Sequence, residues 1–248
     1  MQRLAGASEL LDGPLDDLDA LRGNLRDLAR VNRWLGGAEL SRRAVDLLLM
    51  RDVSDGRRPT VLDVGTGGAD IPLALVGAAS RAGRALWVTG LDSRGEVLAA
   101  AVAIRPGLRD HPFVELHVSD AHTLPYADAS YDVVHASLLA HHLEPPEAVT
   151  FLREARRVAR LGVAVNDLVR ARRHWLAARA LFAVTTRNRY TRHDGPLSVR
   201  RAYTVPELHA LLDQAALRPV ATLHGVLGHR VAIAAVPAAA GTGPAATS

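Results

Sequence analysis

The residue types that could do chemistry are densest in one stretch, Val61-Leu-Asp-Val-Gly-Thr-Gly-Gly-Ala-Asp70. A short apolar run ends in an acid, then a glycine-rich turn, then a helix-forming sequence. Gly65 and Gly67 let the backbone approach a ligand with no Cβ in the way. The first amides of the helix beyond offer unpaired N–H groups and a partial positive charge. A turn of this kind suits a pyrophosphate or a carboxylate. Asp63, just ahead of the first glycine, argues for a ligand that also carries a positive charge. Asp92 closes the next apolar run, where a ribose diol would be bound. Asp120, in Val118-Ser-Asp-Ala-His122, closes the third and could accept from an exocyclic amine. Singly, each acid reads equally well as a helix cap or a solvated loop residue. Three at successive strand ends mark the edge at which open α/β sheets bind ligands.

A second group lies further along. His141 and His142 follow the fourth apolar run, in Ser137-Leu-Leu-Ala-His-His-Leu-Glu144. Imidazole is the side chain best matched to proton transfer near neutral pH. Either histidine reads also as a residue of a helix start. Asn166-Asp167 ends the fifth apolar run, able to orient a hydroxyl or to cap a helix. Thr185–Tyr203 carries Arg187, Arg189, Tyr190, Arg192, His193, Arg200, Arg201 and Tyr203, and reads as a lid loop.

What is missing narrows the chemistry. The 248 residues include no cysteine, which excludes disulfides, thiolate nucleophiles and cysteine-bound metals. Lysine is absent as well, so all 30 basic residues are arginine. That removes a P-loop lysine, a Schiff base and a Tyr–Lys dehydrogenase pair. The net charge of +4 is spread along the chain beside acids, and aromatics are only 4%, which argues against nucleic acid as the partner. With no bilayer-length apolar run and no basic-then-apolar leader, a cytoplasmic, monomeric or homodimeric protein is expected.

These residues need elements to hold them. Met1 to about Asp17 reads as loosely held. Helical patterns cover Leu18–Leu35 and Glu39–Met50. Strand and helix then alternate: Thr60–Val64, Asp70–Ala82, Ala85–Leu91, Arg94–Ile104, Phe113–Val118, Tyr131–Ser137, Pro145–Arg160 and Leu161–Asn166. Such alternation predicts a parallel sheet with helices on both faces. Helices over Arg170–Val184 and Pro206–Ala216 and a hairpin of Arg218–His224 with Arg230–Val236 complete the chain. The expected organisation is an N-terminal helical cap (1–55), a cofactor domain (56–237) with a lid insertion near 168–204, and a disordered tail (238–248).

Asp63-Val-Gly-Thr-Gly-Gly-Ala69 resembles motif I of class I S-adenosylmethionine-dependent methyltransferases. Leu91-Asp-Ser93 resembles the ribose motif that follows, Ser119–Tyr126 the adenine loop, and Ala129–Ser137 the strand of motif IV. The likeness runs from about Val61 to Val236 and is strongest to the ubiquinone- and menaquinone-biosynthesis-like subgroup. Ala69 departs from the pattern, which usually has a third glycine there.

The resemblance implies a Rossmann-like fold with a seven-stranded, mostly parallel sheet and an antiparallel last strand. It implies Gly65, Thr66, Gly67 and Gly68 along the methionine and ribose portion, Asp63 near the amino group, and Asp92 on the ribose hydroxyls. Ser93 would lie beside the adenine, Asp120 and Ala121 would hold it, and Ser137 would lie near the methionyl amine. Arg33, in Asn32-Arg-Trp-Leu-Gly-Gly37, is a candidate for the carboxylate. Metal-assisted relatives need an acid after the fourth strand, and the residue there is Ser137, so no metal is expected. The activity implied is O-methylation of a small phenolic or polyketide-like acceptor, with His141 or His142 as base and Asn166, Asp167, Arg201 and Tyr203 at the acceptor. Alternatives are C-methylation of a quinone precursor or aromatic ring, a fold that uses the cofactor only structurally, an RNA methyltransferase, and a nicotinamide dehydrogenase.

Overall fold

In the computed structural model, residues 1–52 and 58–238 are described. The expected boundary at 55/56 and almost all of the expected tail lie outside them. Among the described residues seven strands form one sheet: β1 (Thr60–Val64), β2 (Trp87–Asp92), β3 (Val114–Val118), β4 (Tyr131–Ser137), β5 (Ala159–Leu168), β6 (Leu217–His224) and β7 (Arg230–Pro237). Their spatial order is β3-β2-β1-β4-β5-β7-β6. β1 pairs in parallel with β2 and β4, β2 with β3 and β4 with β5, while β7 runs antiparallel between β5 and β6. The strand order therefore reverses beside β1, and the carboxyl ends of β1 and β4 open a crevice there.

The central strands are apolar on both faces because helices cover both. α3 (Asp70–Arg81) and α2 (Gly37–Leu49) cover one face, with Leu40, Ala44, Val45 and Leu48 sharing a core with Val61, Ile71, Leu75 and Val88. α5 (Pro145–Val158) and α8 (Val205–Gln214) cover the other through Phe151, Leu152, Leu208, Leu211 and Leu212. Both begin sharply, α5 with Pro145 and α8 behind Thr204, whose hydroxyl accepts from the Glu207 amide. A third, smaller core joins Leu21 and Leu25 of α1 (Leu18–Trp34) to Val97 and Ala100 of α4 (Gly95–Ile104) and to Tyr190.

Two segments differ from their sequence-based expectation. Thr185–Tyr203, expected as a loop, contains the helix α7 (Arg189–Arg201), packed on α6 (Arg172–Thr185). Gly195-Pro196 reads as a breaker. Here Asn188 caps the helix by accepting from the Tyr190 and Thr191 amides, and glycine is needed because a Cβ at 195 would lie 2.3 Å from the Phe182 ring. Met1–Asp17 is not loose. Asp194 of α7 accepts from the Leu10 and Leu11 amides at 2.8 and 3.2 Å, Leu15 is buried, and Arg3 donates to Glu144 at 2.5 Å. These are long-range side-chain contacts, which periodicity does not register.

Candidate active site

The glycine turn leaves β1 with Gly65 at φ +70° and Gly67 at φ +52°. The left-handed region suits glycine, and Ala69 occupies it too, at φ +55°. The turn is pinned from β2: the Thr66 amide donates to the Leu91 carbonyl at 2.9 Å, and the Gly67 amide to the Asp92 carboxylate at 3.1 Å. Behind it Asp63 is buried, accepting from the Thr66 hydroxyl at 2.7 Å and from His135 Nδ1 at 2.6 Å. His135 is itself fully buried, with Nε2 2.9 Å from the Ser41 hydroxyl.

A cleft of about 330 Å³ opens over this turn. Asp63, Gly65, Thr66, Gly67, Gly68, Asp92, Ser93, Asp120, Ala121 and Ser137 all line it. Leu25, Leu28 and Asn32 of α1 roof it, and Leu139 and His142 stand on the β4 side. Asp12, Asp63, Asp70, Asp92 and Asp120 give it five carboxylates. Arg94 borders it too, but donates its Nη1 to the Leu11 and Gly13 carbonyls. Burial raises the Asp70 and Asp92 carboxyls above the usual range, whereas the His122 amide and ring beside it lower that of the exposed Asp120. Two half-buried acids that, among the described residues, form no ion pair favour a cationic guest.

Arg33 is not part of this cleft. It is exposed and borders a separate groove with Arg26, Arg30 and Arg81. The cation at the switch point is Arg230, which is fully buried and which its place in an apolar β7 pattern concealed. It donates to Asn32 at 2.5 Å, Ser137 at 3.0 Å and Asn166 at 3.3 Å, joining α1 to the tips of β4 and β5. Burial pushes its guanidinium down to about 10.

The four residues expected at the acceptor serve internal networks. Asn166 is buried and donates to the Gly37 carbonyl and the Ser41 hydroxyl, each at 2.8 Å. Asp167 lies behind His141, accepting from its Nδ1 at 2.6 Å and its amide at 3.1 Å. Arg201 is buried, donating to Asp12 at 2.6 Å and to the His142 carbonyl at 2.8 Å. Tyr203 donates to the Leu143 carbonyl at 2.8 Å, and burial pushes its phenol up to about 12. None of the four lines the cleft, and of these groups Arg201 Nε is buried without a hydrogen-bond partner among the described residues.

The two histidines differ in exposure. His141 is buried with its Nδ1 on Asp167, and His142 borders the cleft with its Nδ1 2.9 Å from Asp12. Beside both lies Glu9, which sequence reading missed for want of any local pattern. It is buried, accepts from the Ser198 hydroxyl at 2.9 Å, and burial pushes its carboxyl up to about 7.

Residues 61–162 match the methyltransferase-domain family. An uncharacterised 37.1 kDa protein in transposon TN4556 of Streptomyces fradiae is 37% identical over 116 residues, which are 46% of this chain and 31% of that protein. The match thus spans about a third of that relative. Among solved structures, an S-adenosylmethionine-dependent methyltransferase from Aquifex aeolicus aligns over 86% of this chain and 97% of its own, with TM-score 0.59 and 21% identity. An O-methyltransferase family 2 protein from Planctomyces limnophilus, solved with apigenin, aligns over 91% of this chain and 63% of its own, with TM-score 0.63 and 16% identity. The methyltransferase-domain match thus covers residues 61–162, and the sheet has the fold of the S-adenosylmethionine-dependent methyltransferases. S-adenosylmethionine is the family's cofactor. The cleft fits it: glycines where the backbone must be approached, carboxylates at three strand tips, and a net negative lining for a sulfonium and an amine. Among the described residues, no helix is long and apolar enough to cross a membrane.

Proposed function

We propose that the protein transfers a methyl group from S-adenosylmethionine to an oxygen of a small hydroxylated acceptor, phenolic or polyketide-like. When bound, the cofactor supplies a methyl on a positively charged sulfur, whose departure as a neutral thioether needs no acid. The chain's own work is then to hold, align and deprotonate. Asp92 would accept from the ribose hydroxyls, Asp120 and Ala121 would flank the adenine, and Asp63 and Asp70 would supply negative charge near the amine. Removal of the acceptor's proton falls to the end where His142 stands.

The observation that carries the oxygen reading is this imidazole bordering the same cleft as the strand-tip acids, oriented through Nδ1 by Asp12, with His141 and Asp167 behind it. A carbon acceptor activated by its own ring would not call for two carboxylate-oriented imidazoles. The O-methyltransferase family 2 protein of similar fold was solved in complex with apigenin, which supports a phenolic acceptor. Incubation of the chain with methyl-labelled cofactor and a panel of phenols tests the reading: label on oxygen supports it. Label on carbon instead replaces it with C-methylation, and a conversion that adds no methyl mass overturns both.

A further inference from the structure

The N-terminal segment brings Glu9 against the histidine pair at the end of the cleft. Each imidazole is fixed through Nδ1, His141 on Asp167 at 2.6 Å and His142 on Asp12 at 2.9 Å. Both Nε2 atoms are thereby turned to one carboxylate. His141 Nε2 lies 3.8 Å from Glu9 Oε1, and His142 Nε2 lies 3.8 Å from Oε2. That is too long for a hydrogen bond. Among the described residues neither Nε2 hydrogen-bonds to anything else. It does match the span across a cation: two metal–ligand bonds of about 2.1 Å, opened to roughly 110–130°, part their donor atoms by about 3.4–3.8 Å. The three ligand atoms lie within 4.8 Å of one another.

We infer that Glu9, His141 and His142 form a site for a divalent transition metal of the zinc type. Two imidazole nitrogens and one carboxylate are a common three-ligand set for such an ion and leave a position open for a further oxygen. The surroundings agree. Metal-binding imidazoles are usually held by a carboxylate on the other ring nitrogen, which is the part Asp167 and Asp12 play here. Glu9 and Asp12 share the Arg201 guanidinium, which lies 2.6 Å from Asp12 and 3.5 Å from Glu9. No metal was expected from the sequence, because that reading rested on Ser137. The site inferred here lies elsewhere and takes a ligand from the far N-terminal segment.

The ion's role rests on the methyl-transfer reading, although its binding does not. Next to the cleft on its His142 side, it would take the acceptor through oxygen. Glu9, His141 and His142 would hold the ion, which would supply a Lewis acid that eases loss of the acceptor hydroxyl's proton at that same end of the cleft.

The test uses the full chain, free of any affinity tag and treated with chelator, titrated with Co²⁺ by visible absorption and with Zn²⁺ by metal analysis after dialysis. One equivalent per chain is expected, with affinity at least about tenfold weaker in Glu9→Gln and in His142→Ala and unchanged in His117→Ala. Failure of the wild-type chain to retain a stoichiometric ion, or retention by both variants with full affinity, overturns the site. Cofactor titration of the same samples separates the two readings: S-adenosylmethionine binding without metal leaves methyl transfer standing, and metal without cofactor binding removes only that. Should both variants fail to fold, X-ray absorption of the cobalt-loaded wild-type chain decides, since two imidazoles are expected and an all-oxygen shell contradicts the site.

Discussion

The proposed nucleotide end of the cleft and the proposed acceptor end are built in different ways. At the nucleotide end the ligand-facing groups are backbone at a positive-φ turn and single acids at the tips of β1 and β2 and beyond β3. Each is placed by the strand it follows. At the acceptor end Glu9, Asp12, His141, His142, Asp167 and Arg201 come from four separated segments, and each is placed by the next through ion pairs and hydrogen bonds. The first construction keeps its geometry wherever the sheet folds. The second depends on closure of the N-terminal segment against α7, which leaves it open to change in chemistry and vulnerable to single substitutions.

Breaking the seam between the two ends should have the largest effect. Arg230→Leu leaves the Asn32, Asn166 and Ser137 oxygens without their buried donor, and by analogy with broken buried polar networks should cost about 3–5 kcal/mol in denaturant unfolding. A loss near zero would mean that α1 is held by its apolar face alone. At the acceptor end, His142→Ala should lower the rate of methyl transfer by about 10²–10³-fold while leaving cofactor affinity within a few-fold, as single-turnover kinetics would show. An equal loss in both would place His142 on the nucleotide. At the other end, Asp92→Ala should weaken cofactor binding by roughly 2–3 kcal/mol, some 30- to 150-fold, because the hydrogen bonds proposed to the ribose would be lost together with the clasp on the Gly67 amide. Calorimetry measures that directly.

Acid should act on the acceptor end first. Arg3 beside Glu144 holds this carboxyl below the ordinary glutamate value of 4.5. A lowered folded-state value means the contribution is complete above the ordinary value and is lost as pH falls through the lowered one. Hydrogen exchange between pH 5 and 3 should therefore show residues 1–15 opening before the amides of β1 and its turn. The smallest change is expected at Ala69→Gly. Relief of the left-handed strain is offset by lost methyl burial and added chain entropy, so stability should shift by less than about 1 kcal/mol.

The same contrast explains what could be read from sequence. The alternation of β-branched runs and helices, the order Asp63-Val-Gly-Thr-Gly and the acids at 92 and 120 are local signals, and the structure gathers those residues around one cleft. The helix α7 was hidden behind Gly195-Pro196, whose breaking tendency is overridden by the Asn188 cap and the Phe182 ring. Arg230 was hidden by its apolar neighbours in β7, and Glu9 by a segment with no periodicity at all. Arg33 was expected at the carboxylate because the Asn32–Gly37 stretch reads as a cover for the cofactor, but helical geometry turns it outward and presents Asn32 to the cleft instead. Contacts between residues that are distant in the chain have no local signature, and the acceptor end consists of little else.

Titration calorimetry of the full chain with S-adenosylmethionine is the most direct test of what the strand-tip carboxylates are for. Saturable binding near one equivalent is expected, sharply weakened in Asp92→Ala and absent with a nicotinamide dinucleotide. No heat with S-adenosylmethionine, or tight binding of the dinucleotide in its stead, would contradict the assignment of this cleft to a cationic sulfur nucleoside.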